Sequence, residues 1–261
     1  MQMKIKRGGK MLTHERQREI CRIVDEKGAV TAAELKTILG ASESTIRRDL
    51  NELASKGLIN KVFGGATSRK DNDFTLRDDE MSLRRGICRE EKLKIARYAA
   101  EIVVPGDFIF IDAGTTTELM VDYISCPDVR FVTNSLTTAQ KLGERGYETY
   151  LTGGQLKPVT GALVGAGAVE DLERYNFTKG FFGTNGISVS GGFSTPEIAE
   201  GAVKRKAMER SSKCYILADQ SKFGKAAPCC FGALHDAEII TSKLPDRLYK
   251  NKTVVTEVDM L

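Results

Sequence analysis

Short apolar runs alternate with helical patterns from residue 92 onward, and this alternation restricts the possible folds more than any other feature. Strands separated by helices run parallel in one sheet, because each helix returns the chain to the same edge. The pattern therefore predicts an α/β domain with a mostly parallel sheet. The expected strands are Phe108 to Ile111, Arg130 to Val132, Thr149 to Leu151, Lys179 to Phe182, Cys214 to Leu217 and Ile239 to Thr241. The expected helices are residues 92–103, Thr117 to Ile124, Leu136 to Gly143, Ala168 to Tyr175 and Pro196 to Ser212.

Small or polar residues follow five of the expected strands. Ligands of open parallel sheets bind beyond the carboxyl ends of the strands, and these ends share one rim. Each segment alone is typical of an ordinary loop, but their recurrence along that rim predicts a polar pocket. The segments are DAGTTT from Asp112, TNS from Thr133, TGG from Thr152, GTNG from Gly183 and ADQSKFG from Ala218.

The segment Gly114 to Thr117 is predicted to bind an anion, because it would present N–H groups and hydroxyls at a helix start. No G-K-[ST] sequence follows, so a nucleoside triphosphate is not expected. Asp112 and Asn185 would hydrogen-bond hydroxyls. Lys204 and Lys222 would neutralise a phosphate, although the charged run around Lys204 is also typical of a solvated helix face. The residues predicted to bind this ligand are Asp112, Gly114, Thr115, Thr116, Thr117, Thr133, Asn134, Ser135, Gly153, Gly154, Gly183, Asn185, Gly186, Lys204, Asp219 and Lys222.

Three short helical patterns, each ended by a glycine, occupy the first seventy residues. The second begins with a capping box formed by Thr31 and Glu34. The third follows after a very short turn and places Ile46, Leu50 and Leu53 on one face. Two helices joined by so short a turn, followed by the two-strand pattern LINKVFGGAT, predict a winged helix-turn-helix domain.

The third helical pattern has the chemistry of a DNA-reading helix. Its first half carries short hydroxyl side chains and the adjacent Arg47 and Arg48, which suit phosphates and the acceptors of guanine. Residues 1–70 contain 15 Lys and Arg against 8 Asp and Glu, a net charge of +7, whereas the other 191 residues contain 24 against 27. A small basic domain on a slightly acidic body is typical of DNA-binding proteins. The residues predicted to contact double-stranded operator DNA are Thr31, Ser42, Ser44, Thr45, Arg47, Arg48, Asn51 and Lys61.

Cysteine usage argues against a structural metal and against a disulfide framework. The six cysteines include no C-x-x-C pair, and only two histidines accompany them, a pattern that suits reduced thiols in the cytoplasm. No apolar run reaches the roughly 18 residues of a membrane span, and no signal peptide is recognisable. We therefore expect a cytoplasmic protein with no metal, no cofactor and no membrane partner.

The stretch GASESTIRRDLNELASKGLINKVFGGA, residues 40–66, closely resembles the N-terminal signature of the DeoR family of bacterial transcriptional regulators. The resemblance extends over nearly the whole chain from Met11, through DAGTTT, TNS, GG, GTNGIS, VKR and ADQSKF. It implies a C-terminal α/β sensor domain resembling ribose-5-phosphate isomerase, which binds a phosphorylated sugar effector. We assign residues 11–67 to the winged helix-turn-helix domain, 68–91 to a linker and 92–261 to the sensor domain.

Within the family, residues 176–188 and 194–223 look most like the fructose-operon repressors of Gram-positive bacteria, whose implied inducer is fructose 1-phosphate. Those repressors usually have an acidic residue followed by Glu-Ala before Val-Lys, whereas this chain has Glu200-Gly201-Ala202. The resemblance implies a repressor of a sugar-utilisation operon that acts as a homo-oligomer, a dimer or a tetramer. Sugar phosphates of the tagatose, galactitol or glycerol pathways remain alternatives.

The resemblance also raises the question of catalysis, because aldose–ketose isomerases need a carboxylate base. Their acid-rich D-G-A-D-E loop aligns with GTNGIS, which has no carboxylate, and their general-base Glu aligns with Lys204. We therefore expect no catalytic residues and no enzyme activity. Two other interpretations remain open: a sugar-phosphate isomerase fused to a DNA-binding module, and a regulator whose pocket binds a nucleotide or only mediates oligomer contacts.

Overall fold

The N-terminal unit, Met1–Asp73, combines helices with a three-stranded antiparallel sheet. The computed structural model describes residues 13–27, 29–55, 58–62, 65–68, 73–74 and 86–260. In this unit they form the helices α1 (Thr13–Lys27), α2 (Ala32–Leu39) and α3 (Glu43–Ser55), and the strands β1 (Ala29–Thr31), β2 (Ile59–Val62) and β3 (Gly65–Ser68). The β2–β3 hairpin is the wing, and β1 pairs with β3 as a third strand that was not predicted. The winged helix-turn-helix fold is confirmed.

Apolar side chains at helical spacing form the core of this unit. Thr31 starts α2 as predicted, since its hydroxyl accepts from the Glu34 N–H at 3.2 Å and its own N–H donates to the Glu34 carboxylate at 2.8 Å. Gly40, with φ of +62°, ends that helix. The side chains closing the core, all at most 2% exposed, include Ile20, Val24, Leu35, Ile46 and Leu50.

The C-terminal unit, Phe74–Leu261, follows the short strand β4 (Asp73–Phe74) and alternates strands with helices. Its helices are α4 (Arg89–Glu101), α5 (Thr115–Val121), α6 (Leu136–Glu144), α7 (Ala166–Leu172) and α8 (Ile198–Glu209). Its strands are β5 (Phe108–Ile111), β6 (Arg130–Thr133), β7 (Glu148–Leu151), β8 (Gln155–Lys157), β9 (Ala162–Val164), β10 (Phe177–Phe182), β11 (Gly186–Ser188), β12 (Gly192–Thr195), β13 (Ser211–Leu217), β14 (Lys225–Ala226), β15 (Cys229–Gly232), β16 (Glu238–Thr241) and β17 (Val255–Glu257).

The main sheet of this unit has the order β17-β16-β13-β10-β5-β6-β7, and every neighbouring pair in it is parallel. The predicted parallel α/β fold and its six strands are therefore confirmed. The seventh strand, β17, and the antiparallel β8–β9 and β11-β12-β15 sheets were not predicted. The helix expected from Pro196 to Ser212 is shorter, because β13 already begins at Ser211. The helix expected from Thr117 begins earlier, at Thr115.

Helices cover both faces of the main sheet, as a parallel sheet requires. Alternate residues of β5 point to opposite sides, so Phe110 packs against α7 and α8 while Ile109 and Ile111 pack against α4, α5 and α6. With both faces covered, the ends of the strands are the parts of the sheet that remain for a ligand to reach. None of the described helices is long and apolar enough to cross a membrane.

Candidate functional site

Successive strands of the chain are placed first on one side of β5 and then on the other, and this change of side marks the expected ligand crevice. After β5 the chain adds β6 and β7 on one side, and it later adds β10 and β13 on the other. The carboxyl edge beside β5 and β10 is therefore the expected ligand crevice, because open α/β sheets bind ligands where the loops of neighbouring strands leave in opposite directions.

Asp112 lies at this edge of the sheet, directly after β5, and is 1% exposed. Its Oδ2 accepts a hydrogen bond from the Gly183 N–H at 3.0 Å and an ion-paired hydrogen bond from Lys204 Nζ. Lys204, on α8, also donates to the Gly183 carbonyl at 3.1 Å. The pair therefore ties the ends of β5 and β10 to α8, and it brings together three residues that were predicted from separate motifs.

The three threonines of DAGTTT have different positions in the crevice. Thr115 and Thr116 begin α5 and are 4% and 6% exposed. The Thr117 hydroxyl lies 2.7 Å from the Asp112 carbonyl and 2.9 Å from the Gly114 carbonyl, so it shapes the loop instead of facing the crevice. A Cβ on Gly114 would lie only 3.0 Å from the Thr117 hydroxyl, which explains a glycine at this position.

The TNS segment orders the neighbouring loops. The Asn134 side chain accepts from the Ala113 N–H at 3.0 Å and donates to the Leu163 carbonyl at 3.3 Å. Thr133 accepts from the Ser135 N–H at 3.1 Å, and Ser135 caps α6. These side chains therefore position the crevice loops through hydrogen bonds within the protein.

Three of the predicted glycines serve close packing. The Gly153 N–H donates to Asp171 at 2.6 Å, next to Gly154, which has φ of +112°. A Cβ on Gly154 would meet the Val164 carbonyl at 2.5 Å. A Cβ on Gly186 would lie 2.6 Å from the Lys225 carbonyl. Any larger residue at Gly154 or Gly186 would displace backbone, and one at Gly153 would meet the Asp171 carboxylate at 2.8 Å.

The loop after β13 contributes a buried carboxylate to the same edge of the sheet. Asp219 is 1% exposed, and its Oδ1 accepts from the Ser221 N–H at 3.0 Å. Its Oδ2 is one of the few buried polar atoms in the described residues without a hydrogen-bond partner. Burial, and then the negative charge of Asp219, raises the pKa of the Cys88 thiol, which therefore stays protonated at neutral pH. Lys222 ends the short 3₁₀ turn that Asp219 caps.

Sequence reasoning missed a polar cluster built around Glu200, one helical turn before Lys204. Glu200 is 7% exposed and accepts from Lys157 Nζ at 2.9 Å and from the Thr160 hydroxyl at 3.0 Å. The Thr195 hydroxyl lies 3.4 Å from Glu200 and 3.3 Å from the predicted residue Asn185. The Glu200-Gly201-Ala202 departure from the family pattern was the available signal, but it did not reveal these partners.

The outward face of α3 is the candidate DNA-reading surface. Ser42 starts this helix, since its Oγ accepts from the Thr45 N–H at 3.3 Å and lies 2.8 Å from the Thr45 hydroxyl. The backbone of Lys61 lies in β2, and its side chain lies outside the described residues. The exposed side chains of α3 include four of the predicted DNA-binding residues, Ser44, Arg47, Arg48 and Asn51.

The opposite face of α3 is fastened to α1. Asp49 is 1% exposed, and its carboxylate accepts from Arg16 Nε at 2.6 Å and from Arg16 Nη2 at 3.2 Å. The hydrogen bond that Arg16 donates to Asp49 raises the pKa of the Arg16 guanidinium above its ordinary value. Gln17 adds a hydrogen bond of 2.8 Å to Glu52. These contacts set the rotation of the helix that presents Arg47 and Arg48.

A winged helix-turn-helix unit and an α/β unit with a polar crevice in one chain are the architecture of a transcriptional regulator. The family model described as the DeoR-like helix-turn-helix domain matches residues 16–72, and the DeoR C terminal sensor domain matches residues 87–243. The chain belongs to the DeoR family of transcriptional regulators.

Proteins named as transcriptional regulators match this chain over nearly their whole length. The chain is 38% identical to FruR of Bacillus subtilis, an uncharacterized HTH-type transcriptional regulator, over 95% of this chain and 99% of that protein. It is 32% identical to the lactose phosphotransferase system repressor of Staphylococcus aureus, over 96% and 100%. Among solved structures, ribose 5-phosphate isomerase A of Methanocaldococcus jannaschii shares 15% identity over 51% of this chain and 54% of that one, with a TM-score of 0.39.

Proposed function

We propose that this protein is a cytoplasmic repressor of a sugar-utilisation operon, controlled by fructose 1-phosphate and acting as a dimer or tetramer on double-stranded operator DNA. The observation that carries the sensing role is the group of buried polar side chains at the carboxyl end of β5, where Thr115 and Thr116 start α5 next to the Asp112–Lys204 pair. A phosphate dianion bound there would accept from backbone N–H groups and hydroxyls, and the positive end of α5 would stabilise it.

The choice of sugar rests on similarity. The relatives include a regulator named FruR and a lactose phosphotransferase system repressor, and the second name links that protein to the transfer of phosphate to a sugar. The similarity to FruR, together with the likeness of residues 176–188 and 194–223 to fructose-operon repressors, supports fructose 1-phosphate. A regulator of glycerol metabolism is a second candidate, because the chain is also 36% identical to a regulator named GlpR from Haloferax volcanii, over 88% of this chain.

The crevice supports binding over catalysis. An isomerase moves a proton with a carboxylate base, and residues 183–188 carry no carboxylate. The resemblance aligns Lys204 with that base, and the carboxylate that contacts Lys204, Asp112, also accepts from the Gly183 N–H. The proposal therefore assigns these residues to phosphate binding and not to proton transfer.

We expect fructose 1-phosphate to release the protein from the DNA upstream of its operon. Fluorescence anisotropy with labelled DNA would measure the affinity with and without each sugar phosphate, and coupling of this kind is typically about 5- to 150-fold. Inorganic phosphate is the control for the charge alone. A response to another sugar phosphate would reassign the effector, and indifference to every sugar phosphate would contradict the sensing role. Turnover of ribose 5-phosphate would favour the isomerase interpretation.

We expect Arg48→Ala to weaken operator binding by about 1–3 kcal/mol, because an exposed Arg on the reading helix can pair with a guanine. The effect should disappear on unrelated DNA. Lys61→Ala, on the wing, should instead weaken all sequences alike and reduce the salt dependence. Gel-shift titrations on operator and scrambled DNA would measure both. Unchanged affinity in both variants would contradict the proposed DNA-reading surface.

A further inference from the structure

The β8–β9 hairpin reaches across the carboxyl edge of the main sheet. Its second strand is fastened to the loop after β6: the Leu163 N–H donates to the Asn134 carbonyl at 2.7 Å, and Ser135 and Ala162 form a β-bridge. Its base rests on α7, where the Gly153 N–H donates to Asp171. The Leu136 N–H also donates to the Gly161 carbonyl at 3.1 Å, so these contacts hold the base and one side of the hairpin and leave Lys157 and Thr160 to find other partners.

The tip is held by α8. Lys157 Nζ lies 2.9 Å from Glu200 Oε1 and 3.0 Å from Glu197 Oε1, and the Thr160 hydroxyl donates to Glu200 at 3.0 Å. The side chains of Lys157 and Glu200 are 11% and 9% exposed, whereas that of Glu197 is 47% exposed. Glu200 is therefore the buried carboxylate on which both tip residues converge.

This attachment lies next to the candidate crevice. Glu200 and Lys204 are one turn apart on α8, so they lie on the same face of the helix. Lys204 contacts Asp112 at the end of β5, and β5 lies between β6 and β10 in the sheet. Since the hairpin is attached to the end of β6 and to α8, it spans the carboxyl end of β5. Glu200 also approaches Asn185 through Thr195.

We infer that Glu200 is a positioning residue for the crevice, which fastens the hairpin tip as a strap across the bound ligand and orients Asn185 through Thr195. The ligand class is a polyol phosphate, an assignment that rests on the proposed function. With its phosphate at the start of α5, such a ligand extends its hydroxyls towards Asn185 and the strap. A closed strap excludes water from these polar contacts and slows release of the ligand.

The first test needs no ligand. Amide hydrogen exchange of residues 155–164 would be compared in the wild type and in Glu200→Gln, which keeps the shape of the side chain and removes its charge. We expect about tenfold or more faster exchange in this hairpin and no change in β13. Lys157→Met should accelerate exchange by a similar factor. The double variant should exchange no faster than either single variant, because both substitutions remove the same interaction.

Lys179→Met is the matched control. Lys179 pairs with Asp107 at 2.5 Å, their side chains are 13% and 6% exposed, and this pair lies at the opposite, amino end of the strands. This variant should lower the melting temperature without selectively accelerating exchange in residues 155–164. Equal exchange of the hairpin in the wild type and Glu200→Gln would overturn the inference, and so would an equal acceleration in Lys179→Met.

The second test uses fructose 1-phosphate. Stopped-flow measurements should show faster dissociation from Glu200→Gln with a nearly unchanged association rate, and the ligand should slow hairpin exchange in the wild type. Equal dissociation rates in the two proteins would overturn the strap as a determinant of binding. If the wild type binds no sugar phosphate, the proposed function fails, whereas the exchange experiment without ligand still decides whether Glu200 fastens the hairpin.

Discussion

A chain in which Thr115 and Thr116 are both replaced by Val is expected to lose about a hundredfold or more in affinity for its sugar phosphate. The two side chains are nearly buried at the start of α5, and Val keeps their branched shape while it removes two hydroxyl donors. Hydrogen bonds to a charged group contribute about 1.5–3 kcal/mol each, so the loss is large even if the backbone contacts persist. Isothermal titration calorimetry with fructose 1-phosphate would measure it.

Thr138→Val is the matched control for this prediction. Thr138 lies in the first turn of α6, is 0% exposed, and has a hydroxyl without a hydrogen-bond partner in the described residues. Its replacement should leave the affinity unchanged and should not lower stability, because no hydrogen bond is lost. Operator binding without effector should survive in the double variant, which would then repress without responding. Wild-type affinity in the folded double variant would show that the phosphate binds elsewhere.

The second large effect is expected at Asp49. Asp49→Ala removes the carboxylate that Arg16 pairs with, in a site where the Arg side chain is 9% exposed, and breaking such a buried pair costs about 3–5 kcal/mol. A unit of this size has a small core and a low free energy of unfolding. We therefore expect the N-terminal unit of Asp49→Ala to unfold near physiological temperature. Operator binding would then be lost, whereas calorimetry should still detect sugar phosphate binding to the C-terminal unit.

Two further variants separate the buried charge from other causes. Arg16→Met combined with Asp49→Leu removes both charges and keeps the apolar volume, so it should restore the melting transition of the N-terminal unit. Glu43→Ala breaks the exposed pair between Glu43 and Arg47, 2.7 Å apart, and should change stability by less than about 1 kcal/mol. Circular dichroism melts would compare the three. A stable Asp49→Ala protein would disprove the proposed role of the pair.

Local pattern was sufficient for the helix-turn-helix and for most of the main sheet. The capping box of Thr31 and Glu34 forms as predicted, because its residues are three positions apart and need no distant partner. The strands around Phe110 and Phe182 are apolar on both faces, so their sequence alone distinguishes them from surface segments. β17, by contrast, is short and half-buried, and its sequence, Val-Thr-Glu, shows neither an apolar run nor an alternation of apolar and polar residues that would predict a strand.

Site chemistry was predicted less completely than the fold. The sequence predicts the same ligand-binding role for Thr115, Thr116 and Thr117. In the folded loop, however, the Thr117 hydroxyl contacts the backbone carbonyls of Asp112 and Gly114. Residue type alone does not distinguish a threonine whose hydroxyl shapes a loop from one whose hydroxyl faces a ligand. The ligand-binding roles of these residues therefore stay predictions until binding is measured.

Near neighbours along the chain account for the capped helices, the exposure of the predicted DNA-binding residues on α3, the alternation that makes a parallel sheet, and the motifs that define the DeoR family. Which distant charges meet depends on the tertiary structure. Lys204 and Asp112 are 92 positions apart, and Lys157 and Glu200 are 43 positions apart. A buried charge is stable only beside a partner, and the order of the strands in the sheet, which no local pattern encodes, determines which partner that is.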